Sequence, residues 1–235
     1  MQRKGRPSWQ IAIDEPEDLH LVLFVRDCCR LPAGAAGQPG PLAPAAPDLS
    51  GLLDEPAQRA AGAAWPIWWR AAVDAHRSAS RPLPPGAPSA EHLHQARQRH
   101  AAAVDGPQFE SLSHVPALRE AARAAFYPFQ QWWQPPILAE TKVQRGSRGP
   151  LGLPGVKGYL FDLHHGRSTV HDVINRIEHE VGRKAKPFDL RIDILAVTQP
   201  PVLMQEEHHA LVSGELVGSE SDYRDWLYST IRQMA

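Results

Sequence analysis

The stretch from Ser168 to the C-terminus constrains the fold most, because its apolar periodicity changes in a legible order. Val170, Val173, Ile174, Ile177 and Val181 recur at helical spacing, and Phe188, Leu190, Ile192 and Ile194 then alternate with Asp189, Arg191 and Asp193 in the two-residue period of a strand. The run from His208 to Val217 has the length and the Leu/Val content of a second strand, weakened by Gly214. Tyr223, Trp226, Leu227, Ile231 and Met234 return to a helical stripe. Ser168 and Thr169 stand at capping positions for the first helix, Asp172 can pair with Arg176, and Gly182 suits its stop. Ser219 or Ser221 can cap the last helix, whose inward stripe places Trp226 between helix and sheet.

The N-terminus carries a similar signal. Trp9, Ile11 and Ile13 alternate with polar or small residues, Glu15-Pro16-Glu17-Asp18 reads as a turn, and Leu19, Leu21, Leu23 and Val25 continue the alternation. Strand signals at both ends and their scarcity between predict an α+β fold. Its expected form is an antiparallel sheet of about four strands from both chain ends, packed by the terminal helices, with an inserted Trp-rich helical lobe.

Four segments follow from this reading. Residues 1–31 and 159–235 form the sheet domain, and 32–51, almost wholly Pro, Gly and Ala at its start, forms a flexible link. Residues 52–134 form the helical lobe, and 135–158 a basic Gly/Pro-rich loop. In the lobe, Ala57, Ala61, Trp65, Trp68, Trp69, Ala72 and Val73 share a stripe that Pro66 should kink or restart. A weaker helix is expected over 89–105. A third runs from about Ser113, with Leu118, Ala122, Phe126, Phe129 and Trp133 on one face and Pro128 near its end.

Composition narrows the function classes. With 235 residues, 43% hydrophobic, the chain can bury a sizeable core, and a formal net charge of -1 supplies no general attraction to polyanions, so nucleic acid is not an expected partner. No stretch is apolar for long enough to span a bilayer, and a cytoplasmic location is expected. The only cysteines, Cys28 and Cys29, are adjacent and cannot staple distant segments.

The chemistry-bearing residues form no standard motif. Twelve histidines cluster in part as His164, His165 and His171, candidate metal ligands beside a helix start, but their spacing fits no known ligand register. His179-Glu180 opens an HExxH pattern in which Arg183 occupies the second histidine's place. Ser213 precedes Gly214 in strand-like sequence, the wrong context for a nucleophile elbow. Arg145, Arg148 and Lys157, set among glycines, are candidate anion-binding residues. The paired indoles Trp68–Trp69 and Trp132–Trp133 diverge by about 100° on a helix, so at least one should be partly exposed; Trp69 and Trp132 are the candidate partner-binding residues.

The reading that results is a non-catalytic, macromolecule-binding accessory protein with a protein partner, no membrane and no cofactor. The alternatives are a metal-dependent hydrolase using the His164/His165/His171 cluster and a small-molecule or anion sensor using the basic loop.

Overall fold

The computed structural model describes residues 9–32, 38–80, 104–133, 163–206 and 208–234. The described residues form strands β1 (Trp9–Asp14), β2 (Phe188–Leu195), β3 (Val202–Glu206) and β4 (His209–Ser213). Their helices are α1 (Glu17–Cys28), α2 (Glu55–Ser80), α3 (Pro116–Trp133), α4 (Leu163–Val181), α5 (Gly214–Gly218) and α6 (Glu220–Met234). The chain divides into two compact units, residues 1–15 with 158–235 and residues 16–157.

The first unit is α+β, with a four-stranded sheet drawn from both chain ends in the order β1-β2-β4-β3. The expected antiparallel pairing is corrected to a mixed sheet: β1–β2 and β2–β4 are parallel, and only β3–β4 is antiparallel. The reason is connectivity. A strand separated from its partner by a whole helical unit, and preceded by α4, can re-enter in the same direction, whereas an antiparallel neighbour is typically reached through a tight hairpin. β4 lies between β2 and β3, and all five of its residues are buried, which is the burial of an interior strand covered on both faces.

One sheet face carries the core. Val170, Val173, Ile174 and Ile177 of α4 and Tyr223, Leu227 and Ile231 of α6 pack with Phe188, Leu190, Ile192, Ile194, Ala210 and Val212. α4 begins at Leu163, so Ser168 and Thr169 lie inside it rather than at its cap. Arg176 pairs with Glu180 at 2.9 Å rather than with Asp172. Gly182, at φ 68°, supplies the left-handed residue that ends the helix. The second strand expected through Val217 stops at Ser213, whose hydroxyl accepts from Leu216 N at 3.1 Å and so starts α5.

Trp226 is half-buried, on the shoulder of a stripe whose centre is Tyr223, Leu227 and Ile231, and it stacks on Tyr223 at 5.8 Å. The expectation of a closed site is therefore corrected. Trp226→Ala should cost about 1–2 kcal/mol, below the roughly 3–5 kcal/mol of an aromatic removed from a closed core. Denaturant titration checks this, and a loss above that range would mean that the indole is packed more tightly than its partial exposure implies.

In the second unit the predicted strand over Leu19–Val25 is a helix. The residues between the alternating leucines, His20, Val22 and Phe24, are also buried, so the segment is apolar all round and its period is ambiguous. Glu17 and Asp18 in the first turn and Arg26 in the last suit a helix dipole. α1, α2 and α3 pack against one another. α2 runs unbroken through Pro66, with Asp54 Oδ1 accepting from Ala57 N at 2.8 Å at its start. Gly62 lies so close to Pro32 that a Cβ there would meet the proline ring at 2.5 Å.

Residues 38–51 of the expected link carry hydrogen bonds to α1. Arg26 donates to Pro39 O at 2.5 Å and to Gly40 O at 2.6 Å, Asp27 Oδ2 accepts from Leu42 N at 2.7 Å, and Leu49 N donates to Cys28 O at 2.6 Å. Backbone groups bound by buried side chains explain why a Pro/Gly-rich sequence is held here. The weaker helix expected over 89–105 falls almost wholly outside the described residues. No helix among the described residues is long and apolar enough to cross a membrane.

Candidate functional site

The residues of α2 explain where the helical unit is hollow. Its inner stripe, Ala61, Trp65, Trp68, Trp69, Ala72 and Val73, is buried. Beside that stripe Ala64 and Ala71, two turns apart from each other and each about one turn from Ile67 and Trp68, leave space that larger side chains would fill. The result is a cleft of about 130 Å³ closed on its far side by Ser111, Leu112, His114, Val115 and Leu118.

The far wall is held by a compact hydrogen-bonded turn. Asp105 accepts from Ser111 Oγ at 2.6 Å and from Ser111 N at 3.0 Å, while Phe109 N donates to Asp105 O at 3.1 Å. Phe109 is buried in the left-handed region at φ 50° and sits edge-on to both Trp68, at 6.1 Å, and Phe126, at 5.9 Å. A non-glycine residue keeps such a conformation only when its surroundings over-determine it, and here two aromatic contacts do so. Arg119 fixes the next turn by donating to Gln108 O at 3.0 Å and pairing with Glu110. At the rim stands Ile67, 64% exposed.

The two candidate partner-binding indoles differ in exposure, and one of them is partly exposed, as the divergence within each pair requires. Trp69 is buried and stacked on Trp65 at 5.8 Å, and Trp132 is half-buried against Phe24 at 5.3 Å and Phe129 at 6.2 Å. α2 is covered from two sides, by α1 and α3, so an arc wide enough for both members of a tryptophan pair leaves water. Among the described residues of this unit, the exposed large apolar ones are Leu52, Ile67 and Tyr127. Ile67 stands between the buried stripe and Pro66, and its outward direction follows only from the packing of the neighbouring helices.

The sheet unit holds a polar constellation that the sequence did not signal. On the face opposite the α4/α6 core, Arg191 spans two carboxylates, donating through Nη2 to Asp14 Oδ2 at 3.1 Å and through Nε to Asp193 Oδ1 at 2.8 Å. His209 Nε2 lies 2.7 Å from Asp193 Oδ2, and because an ionised carboxylate only accepts, the ring proton is on Nε2. Among the described residues His209 Nδ1 is buried without a hydrogen-bond partner. An imidazole oriented by a carboxylate is one half of a general-base arrangement. The hydroxyl on the same strand, Ser213 Oγ, is already committed to Leu216 N.

His164 and His165 lie on the first turn of α4, and their side chains are outside the described residues. His171 is exposed and meets Trp9 edge-on at 5.2 Å. No group of three or more metal-capable side chains occurs among the described residues. Arg145, Arg148 and Lys157 lie outside the described residues. No family model matches this chain, and no curated protein or solved structure matches it.

Proposed function

We propose that the protein is a non-catalytic, macromolecule-binding accessory protein whose helical unit receives a protein partner at the α2 cleft. The observation that supports this reading is Ile67, 64% exposed at the rim of an apolar hollow. A hollow of about 130 Å³ accepts a single large side chain, and a partner that inserts one also covers Ile67. With a formal net charge of -1, apolar fit rather than charge selects the partner. The cytoplasmic location belongs to the same proposal and is supported by a sequence with only two cysteines, adjacent to each other, which cannot form a disulfide framework.

The test compares wild type with Ile67→Asp as baits in lysate of the source cells. Proteins held by wild type should fall about tenfold or more with the aspartate variant, the size of effect that loss of a central contact produces. The variant's unfolding free energy should stay within about 0.5 kcal/mol of wild type, because the substituted side chain faces water. Equal capture by both baits, or none by wild type above a bait-free control, would overturn the proposal.

A further inference from the structure

Consecutive side chains on a regular helix point about 100° apart, yet Cys28 Sγ and Cys29 Sγ lie 3.7 Å from each other. The cause is the end of α1: Cys29 leaves helical geometry at φ -89°, ψ 1°, and Arg30 follows at φ 48°. Both cysteines have no exposed surface and neither is in a disulfide. The same two residues hold neighbouring backbone. Leu49 N donates to Cys28 O at 2.6 Å and Gln58 Nε2 donates to Cys29 O at 2.8 Å.

We propose that Cys28 and Cys29 form a redox modification site, at which a water-sized hydroperoxide converts the two thiols into a vicinal disulfide and loosens the segment held by Cys28. Cys29 is the attacking sulfur, because a hydrogen bond from Cys28 lowers its pKa, whereas that same bond, burial and the nearby Asp27 charge raise that of Cys28. Having released its proton to solvent, the Cys29 thiolate attacks one peroxide oxygen, the O–O bond breaks, and hydroxide leaves and takes up a proton to become water. Cys29 is then a sulfenic acid. Cys28 attacks that sulfur, the S–S bond forms, and the sulfenic oxygen leaves as water with the Cys28 proton. Two thiols and one peroxide yield one disulfide and two waters.

Burial favours this end point. The disulfide is neutral, whereas further oxidation of a lone cysteine would place a sulfinate or sulfonate in a site with no exposed surface. Adjacent Cα atoms are about 3.8 Å apart, less than the roughly 4.4 Å that relaxed disulfides span, so closure must twist the intervening peptide. The Cys28 carbonyl of that peptide is the acceptor for Leu49 N. A peroxide the size of water needs only local opening at a helix end to reach the pair.

The experiment treats the native full chain with hydrogen peroxide, blocks remaining thiols with iodoacetamide, and digests with trypsin, which cuts after Arg26 and Arg30. The peptide Asp27–Arg30 should appear two hydrogens lighter and free of alkyl groups, and dithiothreitol should restore two alkylatable thiols. Hydrogen exchange at the Leu49 amide should be about tenfold faster in the oxidised chain, while amides in the middle of α2 are unchanged. In Cys28→Ala the same treatment should stop at a Cys29 sulfenic acid that dimedone traps, with no intrachain disulfide, and the wild-type measurements stand alone if that variant does not fold. The proposal is overturned by two unreacted thiols after treatment, by a disulfide joining two chains, or by a vicinal disulfide that leaves Leu49 exchange unaltered.

Discussion

Replacing Asp193 with alanine should lower the stability of the sheet unit by about 3–5 kcal/mol, the cost of removing one partner from a buried ion pair. Asp193 has no exposed surface and accepts from Arg191 Nε and His209 Nε2 on adjacent strands. Arg191 retains Asp14, at 3.1 Å, and some contact with water. His209 fares worse. Its Nδ1 already has no hydrogen bond, so loss of Asp193 leaves a buried imidazole with neither nitrogen bonded within this constellation. The Asp193→Ala/His209→Ala double variant should therefore be less destabilised than the sum of the single ones, by about 0.5–3 kcal/mol, the range for residues in direct contact. Chemical denaturation of the four proteins in that cycle is the check. An Asp193→Ala variant within about 1 kcal/mol of wild type would mean that water reaches the carboxylate and solvates its partners.

Trp65→Ala is expected to be as damaging to the helical unit, again about 3–5 kcal/mol, for a different reason. The indole is wholly buried, donates Nε1 to Val22 O at 2.8 Å, stacks on Trp69 with the planes 10° apart, and lies under the Arg26 guanidinium at 5.2 Å. Alanine empties that volume and removes the surface on which Arg26 rests while it holds Pro39 and Gly40. Trp65→Phe keeps most of the packing and loses the hydrogen bond, so it should cost about 1–2 kcal/mol. The contrast separates volume from polarity. Equal losses for the two variants would assign the stabilisation to the Val22 bond, and a Trp65→Ala protein within about 1 kcal/mol of wild type would show that the neighbouring rings close the gap.

Which parts of this molecule were legible in its sequence follows from how local each signal is. The strand at Phe188–Ile194, the helices through Val170–Ile177 and Tyr223–Ile231, and the stripes of α2 and α3 appear where their periods place them, because a two-residue or 3.6-residue repeat is a property of neighbouring side chains. Leu19–Val25 failed the same test, since a segment buried on every side has no polar face to mark its period. Trp69 is buried although it was a candidate for exposure, as hydrophobicity gives the preferred face of a helix and not the number of helices that cover it. The left-handed turn at Cys29–Arg30 that brings two sulfurs together left no periodic trace.

The sequence by itself determined that this is an α+β chain whose two ends supply one sheet and whose middle is helical. Only the tertiary structure decided that β1, β2 and β4 run parallel, that Asp193 and His209 meet across β2 and β4, and that Ile67 faces water while Trp69 beside it is buried. The physical reason is that strand direction and burial depend on what stands opposite a residue, and those partners lie far away along the chain: Arg191 and Asp14 are 177 residues apart. Local periodicity says which side of an element seeks cover, while the packing of distant segments decides what covers it.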